Sequence, residues 1–369
     1  MKNTAKFIKQ NIIAVIAWTL ALITIIIIPP DTEYLSYFDF KTLACLFCAL
    51  AVVCALKGIH FFQILAKKIV CVFKTTRSAI IALVYITFIG SMLIANDMAL
   101  ITFLPLGYFV LSETKHNELM SFTFIMQNIA ANLGGMLTPF GNPQNLYLYS
   151  YFNIPTGEFF KIMLLPFLIA ITLITICCLF VKSEPLTLVQ REGDLTFNTK
   201  RTVIYLILFL LSISMVFKVI PFLCGLVIII ASLFYLDRDT LKEVDYGLLL
   251  TFCAFFIFSG NLSRINLIKN TLGTLVDKNT LLFSVLSCQF ISNVPTAVLL
   301  SHFTTNYPAL LIGVNIGGTG TLISSLASLI TLRQYSKYEP KKVKSYIFQF
   351  SLYNFSMLLI LCAVMLWVL

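Results

Sequence analysis

The sequence predicts an all-α polytopic membrane protein made of two inverted repeats, each carrying a re-entrant hairpin and a discontinuous transmembrane helix. Three observations predict it. Hydrophobic residues make up 59% of the 369-residue chain and charged residues 11%, with a mean hydropathy of +0.93, more apolar surface than a soluble domain can cover. The heptapeptide Asn132-Leu133-Gly134-Gly135-Met136-Leu137-Thr138 returns, position for position in type, as Asn315-Ile316-Gly317-Gly318-Thr319-Gly320-Thr321. Each copy follows a shorter echo, Ala95-Asn96-Asp97 in the first half and Ser292-Asn293-Val294 in the second. Polar side chains and paired glycines in apolar segments break helices where no water can satisfy the backbone. Matched breaks of that kind mark a repeated protein with a site at the repeat interface.

The first span, Asn11 to Ile28, is too long for a signal-peptide core and ends in Pro29-Pro30-Asp31 rather than a small-residue cleavage site, so it is expected to stay as a transmembrane helix. Further apolar segments run over 42–56, 79–111, 119–152, 159–181, 202–217, 219–236, 244–260, 279–304, 306–332 and 345–369. The helix-sized ones read as spans. Segments 79–111 and 279–304 read as hairpins turning back on themselves, and 119–152 and 306–332 as broken helices. With the N-terminus inside, 20 Lys and Arg residues fall on the cytoplasmic side and six outside, among them Lys41, Arg264 and Lys278. This bias accounts for the net charge of +10 without nucleic acid. Letting 79–111 cross and 119–152 re-enter moves only Lys115, so charge alone leaves that choice open.

Each half runs in the same order: spans, an amphipathic stretch (58–77 and 261–277), an Asn-bearing hairpin, a Gly-Gly interrupted segment and a final span. The amphipathic stretches read as interfacial helices, cytoplasmic in the first half and external in the second, which inverts the repeats. Residues 1–181 form the first repeat and 201–369 the second. Segment 182–200, with Glu184, Pro185, Arg191, Glu192 and Asp194, is the cytoplasmic linker.

At these residues the chain resembles the ion transporter superfamily of arsenite permeases, sodium/proton antiporters of the same fold, citrate transporters and divalent anion/sodium symporters. The resemblance rests on Ala95-Asn96-Asp97, on Gly134-Gly135 through Thr138-Pro139-Phe140-Gly141-Asn142-Pro143-Gln144-Asn145, on Ser292-Asn293-Val294-Pro295-Thr296 and on Gly317-Gly318. It implies hairpins entering from opposite sides, tips meeting two unwound helices near the midplane, a static domain that forms a homodimer, and alternating access in the cytoplasmic membrane. Asp97 departs from the small or neutral residue of the symporters, and the first half has one span fewer before its hairpin.

Independently, a helix stopped at mid-membrane offers N–H groups to an anion and carbonyls to a cation. The candidate ligand-lining residues are Asn96, Asp97, Asn132, Gly134, Gly135, Thr138, Asn142, Asn145, Ser292, Asn293, Thr296, Asn315, Gly317, Gly318 and Thr321. A sodium site is expected near Asn96, Asp97 and Asn293, and a coupling sodium ion or proton is the only cofactor. Close helix packing is the competing explanation of the glycines. Asp97, the carboxylate placed deep in the membrane, reads as the coupling group, with a structural hydrogen bond to the hairpin as the alternative. His60, His116 and His302 are too scattered for a metal site, and Cys45-x-x-Cys48 reads as packing. With no ATP-binding loop and no cluster of catalytic groups, the sequence predicts a non-enzymatic secondary transporter of a small inorganic or carboxylate anion, or a sodium/proton antiporter, with lipid as its other partner.

Overall fold

The computed structural model describes residues 12–70, 72–186 and 198–368. Among them there is no strand, and six helices are long and apolar enough to cross a membrane. The protein is an all-α polytopic membrane protein. Arg191, Glu192, Asp194 and the N-terminal lysines lie outside the described residues.

The first half comprises α1 (Ile12–Ile27), α2 (Phe40–Gly58), the short amphipathic α3 (Phe61–Val70), the pair α4 (Thr76–Ile94) and α5 (Asn96–Glu113), the pair α6 (Met120–Gly134) and α7 (Pro143–Tyr151), and α8 (Thr156–Leu179). The second half follows with α9 (Thr199–Val216), α10 (Phe222–Leu236), the short α11 (Arg238–Lys242), α12 (Tyr246–Arg264), amphipathic α13 (Asn266–Lys278), the pair α14 (Thr280–Ile291) and α15 (Asn293–Leu300), the pair α16 (Tyr307–Ile316) and α17 (Leu326–Tyr338), and α18 (Val343–Val368). Side-chain caps fix many of the starts. Asp39 accepts from Thr42 N, Asn279 from Leu282 N and Asn306 from Ala309 N, while Thr75 and Ser78 form a capping box on α4.

α4 and α5 form a helical hairpin. Thr76 Oγ1 donates to Lys182 O (2.6 Å) and His116 Nε2 lies 3.3 Å from Glu184, so both open ends meet one strip of chain. Gln127 bridges the arms, donating to Thr87 Oγ1 (3.0 Å) and Phe103 O (3.2 Å), eight residues either side of Ala95. α14 and α15 reverse likewise, with the Thr280 and Thr304 hydroxyls 3.5 Å apart at their base. At the open end of the first hairpin Arg77 Nε donates to Val181 O (2.7 Å). Arg264, at the end of α12, holds Asp31 (2.6 Å), Glu33 (3.1 Å) and Tyr37 (2.9 Å).

Both hairpins turn on one non-glycine residue with positive φ: Ala95 at φ 64°, ψ 151° and Ser292 at φ 73°, ψ 159°. This region is populated almost only by glycine and costs about 1–3 kcal/mol for other residues. At about 1.5 Å per residue, α7 and α16 are about 13 and 15 Å long, and α6 and α17 about 22 and 20 Å. The two interruptions meet, Asn315 bonding to Asn142, Gln144 and Asn145.

Several boundaries differ from the sequence expectation: Thr76 and Arg77 open α4 rather than end the amphipathic stretch, Thr199 and Lys200 open α9 rather than end the linker, and two helices run on. α12 runs on to Arg264, so Leu262 and Arg264 end a span rather than open the amphipathic helix. Asn261 is satisfied inside the bundle by Thr24 (3.2 Å) and Tyr34 (2.9 Å), and Arg264 by its acidic partners, so nothing stops the helix earlier. α17 continues to Tyr338, six residues beyond the expected 332, because Tyr335 stacks on Tyr346 and Tyr338 on Tyr108.

Candidate functional site

Four helices begin around one cavity of about 90 Å³ in the middle of the bundle: α5 with Asn96 and Asp97, α7 with Pro143 and Gln144, α15 with Asn293 and Val294, and α17 with Ser325 and Leu326. Unpaired N–H groups of a first helical turn carry partial positive charge, so four converging N-termini make an anion-attracting centre without a basic side chain at its base. The cavity is also walled by Ala14, Leu248, Thr251 and Leu329, and exposed Asp245 and Arg333 lie on its rim. α7, α12 and α15 are tied together by side-chain bonds. Tyr147 and Ser301 hydroxyls pair at 2.8 Å, Ser259 donates to Val298 O (3.0 Å), and Tyr151 lies against His302.

The two tips use the same local device. Asn96 Oδ1 accepts from Asp97 N and Asn293 Oδ1 from Val294 N, each at 2.9 Å. These bonds point both amides the same way. Asn96 Nδ2 then donates to Asn132 Oδ1 (3.2 Å), which also receives Ser325 Oγ (2.8 Å), joining the first tip to both interruptions. Asn293 N donates to Ser324 O (2.9 Å) and ties the second tip to the second interruption.

Side-chain amides also hold the interruptions open. Asn145 Nδ2 donates to the carbonyls of Gly135, Met136 and Thr138, each at 3.1 Å. Gln289 Nε2 does the same for Gly317 O (3.0 Å) and Thr319 O (3.2 Å), while its oxygen accepts from Thr321 N (2.9 Å). Carbonyls orphaned by each break are thus satisfied internally, as burial in an apolar medium requires. Asn315 joins the halves, donating to Asn145 Oδ1 (2.6 Å) and accepting from Asn142 and Gln144 (both 3.3 Å).

Of the residues singled out from sequence, Asn96, Asp97, Ser292 and Asn293 line the cavity. Asn132, Asn142, Asn145 and Asn315 lie behind it as a connected amide network. Thr138 donates to Met92 O (2.7 Å), Thr296 to Ser292 O (2.7 Å) and Thr321 to Gln289 O (3.0 Å), securing tips and interruptions. None of the four paired glycines is on the cavity wall. A Cβ on Gly134 would strike the Phe88 carbonyl and come within 2.6 Å of Ser91 Oγ, one on Gly135 would meet Asn142, one on Gly317 would meet Cys288 Sγ at 2.9 Å, and one on Gly318 would meet Asn293 at 3.1 Å. The smallness of Gly134, Gly317 and Gly318 lets the hairpins touch the broken helices, and that of Gly135 lets the first interruption fold back on itself. Sequence reasoning missed Gln144, Ser325, Asp245 and Arg333 as cavity residues. Gln144 and Ser325 carried a signal, being polar in apolar segments beside the repeated motifs. Among the described residues no three His, Cys, Asp or Glu side chains cluster as a metal site.

The fold and the cavity define a polytopic membrane protein of the transporter class. The sequence pattern of the citrate transporter family CitMHS matches residues 5–309, and the chain belongs to that family. It is 34% identical to the uncharacterized transporter MJ0456 of Methanocaldococcus jannaschii over 302 residues, 82% of each chain. It is 31% identical to the inner membrane protein YbiR of Escherichia coli over 318 residues, covering 82% of this chain and 81% of that one. A shorter match of 107 residues at 30% identity, 29% of this chain and 18% of the other, relates it to the putative transporter arsB of Dictyostelium discoideum.

Proposed function

We propose that the protein is a secondary active transporter that moves a small anion across the cytoplasmic membrane, coupled to sodium or protons, by alternating access around the central cavity. The observation that carries this reading is the convergence of four helix N-termini on a cavity whose floor also bears the carboxylate of Asp97. An anion and a cation are thereby offered adjacent positions, as coupled movement needs. In this reading the halves are inverted repeats, the hairpins re-enter from opposite sides, the N-terminus is cytoplasmic, and the cavity rimmed by Asp245 and Arg333 faces the cytoplasm. Asp97 holds the coupling cation or proton, and the static part of the bundle forms a homodimer. The family's name makes citrate the first solute to test, followed by smaller dicarboxylates, sulfate and arsenite.

Proteoliposome uptake and counterflow of these solutes, under imposed sodium and proton gradients, test the proposal. Uptake of one anion that is accelerated by either gradient is expected, and Asp97→Asn is expected to abolish the acceleration. Unchanged rate with unchanged pH and sodium dependence in Asp97→Asn would remove Asp97 from the mechanism. The unpartnered Asp97 Oδ1 also favours a second reading, sodium/proton exchange with no anion. Counterflow of none of the solutes together with pH-driven sodium exchange would establish it.

A further inference from the structure

One face of α17 runs the length of the cavity wall, from buried Ser325 at the helix start through Leu326 and Leu329 to exposed Arg333 on the rim. The last three are spaced i, i+3, i+7, so Leu326 and Arg333 lie about 10 Å apart along the axis. Stacking on the other face fixes the rotation of the helix. Tyr335, about 200° round from Arg333, is buried and stacks on Tyr346 with ring centroids 4.2 Å apart. Arg333 is thereby held on the cavity side. Lys337, one turn further on, lies over the Tyr338 ring, 5.7 Å from its centroid, and does not line the cavity.

α12 forms part of the same wall and runs from exposed Asp245 on the rim, through Leu248, to buried Thr251. Asp245 Oδ1 caps that helix, accepting from Leu248 N at 3.0 Å. Arg333 is the one basic side chain among the described residues that line the cavity, and it makes no hydrogen bond or ion pair with any of them. A guanidinium with all its donors unspent can take a carboxylate or an oxyanion in two parallel N–H···O bonds. The carboxylate of Asp245 on the same rim carries the opposite charge and weakens the pull of Arg333 on an anion. We infer that Arg333 is a specificity-determining residue of the transport reaction, the side chain that captures an anion at the rim and sets its apparent affinity, and that Asp245 opposes it. This inference rests on the anion-transport reading and adds to it the residue that selects for charge at the entrance.

Counterflow into proteoliposomes of the full-length protein tests it, with citrate, succinate and sulfate as probes and with KM and kcat measured separately. Arg333→Gln should raise KM for the probe carried by about fivefold, equivalent to about 1 kcal/mol, and leave kcat within about twofold of wild type. Asp245→Asn, which keeps the helix cap, should lower KM by about twofold. The wild-type KM should rise with ionic strength, and that of Arg333→Gln should stay nearly flat. Arg333→Lys should keep the salt dependence with an intermediate KM, so the site stays testable if the glutamine variant fails to fold. A purely structural role would lower kcat in both neutral variants and leave the salt dependence intact. KM unchanged in both, KM raised in both, or wild-type salt dependence in Arg333→Gln would each sink the rim assignment alone. Sodium exchange with counterflow of none of the probes would overturn it together with anion transport.

Discussion

Replacing Asn315 with leucine should destabilise the protein far more than the same change at Asn354, although both asparagines are buried, 1% and 0% exposed. Asn315 makes four side-chain hydrogen bonds, three of which join the two interruptions while the fourth goes to Leu311 O in its own helix. Its removal takes an acceptor from Asn142 and from Gln144 and a donor from Asn145. Each buried polar group left unpaired costs about 1–3 kcal/mol. Two of the lost bonds are long, at 3.3 Å, and neighbouring losses do not add fully, so about 3–5 kcal/mol is expected in total. Asn354 makes one local bond, to Phe350 O four residues back (2.9 Å), and its oxygen has no partner. Leucine there deletes an unsatisfied acceptor and leaves none behind, so the change should be neutral or stabilising by up to about 1 kcal/mol. Equilibrium denaturation of the purified variants in mixed micelles, followed by helical circular dichroism, measures both. Equal losses at the two sites would refute the idea that the amide network holds the interruptions together.

Three further outcomes follow from local geometry. Ala95→Gly should stabilise by about 1 kcal/mol, the relief of tip strain less the entropy of an added glycine, whereas Ser292→Gly should gain less because it also loses the hydroxyl bond to Ser324 O (3.3 Å); unfolding midpoints decide. Gly134→Ala should cost about 1–3 kcal/mol by forcing α6 off the Phe88 carbonyl, while Gly157→Ala, with nothing within 4 Å, should cost nothing measurable by the same denaturation assay. The hydrogen bond from Arg264 holds the Asp31 carboxyl below its usual value of 3.8. Its stabilising contribution is therefore full above that usual value and disappears as pH falls through the lowered one. The melting-temperature gap between wild type and Asp31→Asn should accordingly be constant from neutral pH to mild acid and close at stronger acid. A gap that widens on acidification would contradict the pairing.

Much of the architecture is written locally. The asparagine-bearing tips and the glycine pairs interrupt apolar runs whose burial in lipid leaves few structural solutions, so helix breaks at 95, 135–142, 292 and 317–325 announce themselves in residue type alone. Length and hydropathy similarly separate the spans from the short amphipathic helices. Boundaries were less legible where tertiary partners decide them. Arg264 extends α12 because Asp31 and Glu33 wait beside it, and Tyr335 and Tyr338 extend α17 by stacking on rings far away in sequence.

By itself the sequence determined the class of protein and where its apolar runs are interrupted, because desolvation of backbone and polar groups acts residue by residue. Only the tertiary structure decided which polar groups reach the cavity. Asn142, Asn145 and Asn315 have the same chemistry as Asn96 and Asn293, yet they spend it on one another and on main-chain carbonyls, and Asn132 accepts from Asn96 and Ser325, while Gln144 and Ser325 join the cavity wall. An amide's role depends on which donors and acceptors surround it, and those neighbours lie up to 193 residues away along the chain, as Asn132 and Ser325 do. No local pattern carries that information, because each hydrogen bond needs two ends brought together by the packing of the whole bundle.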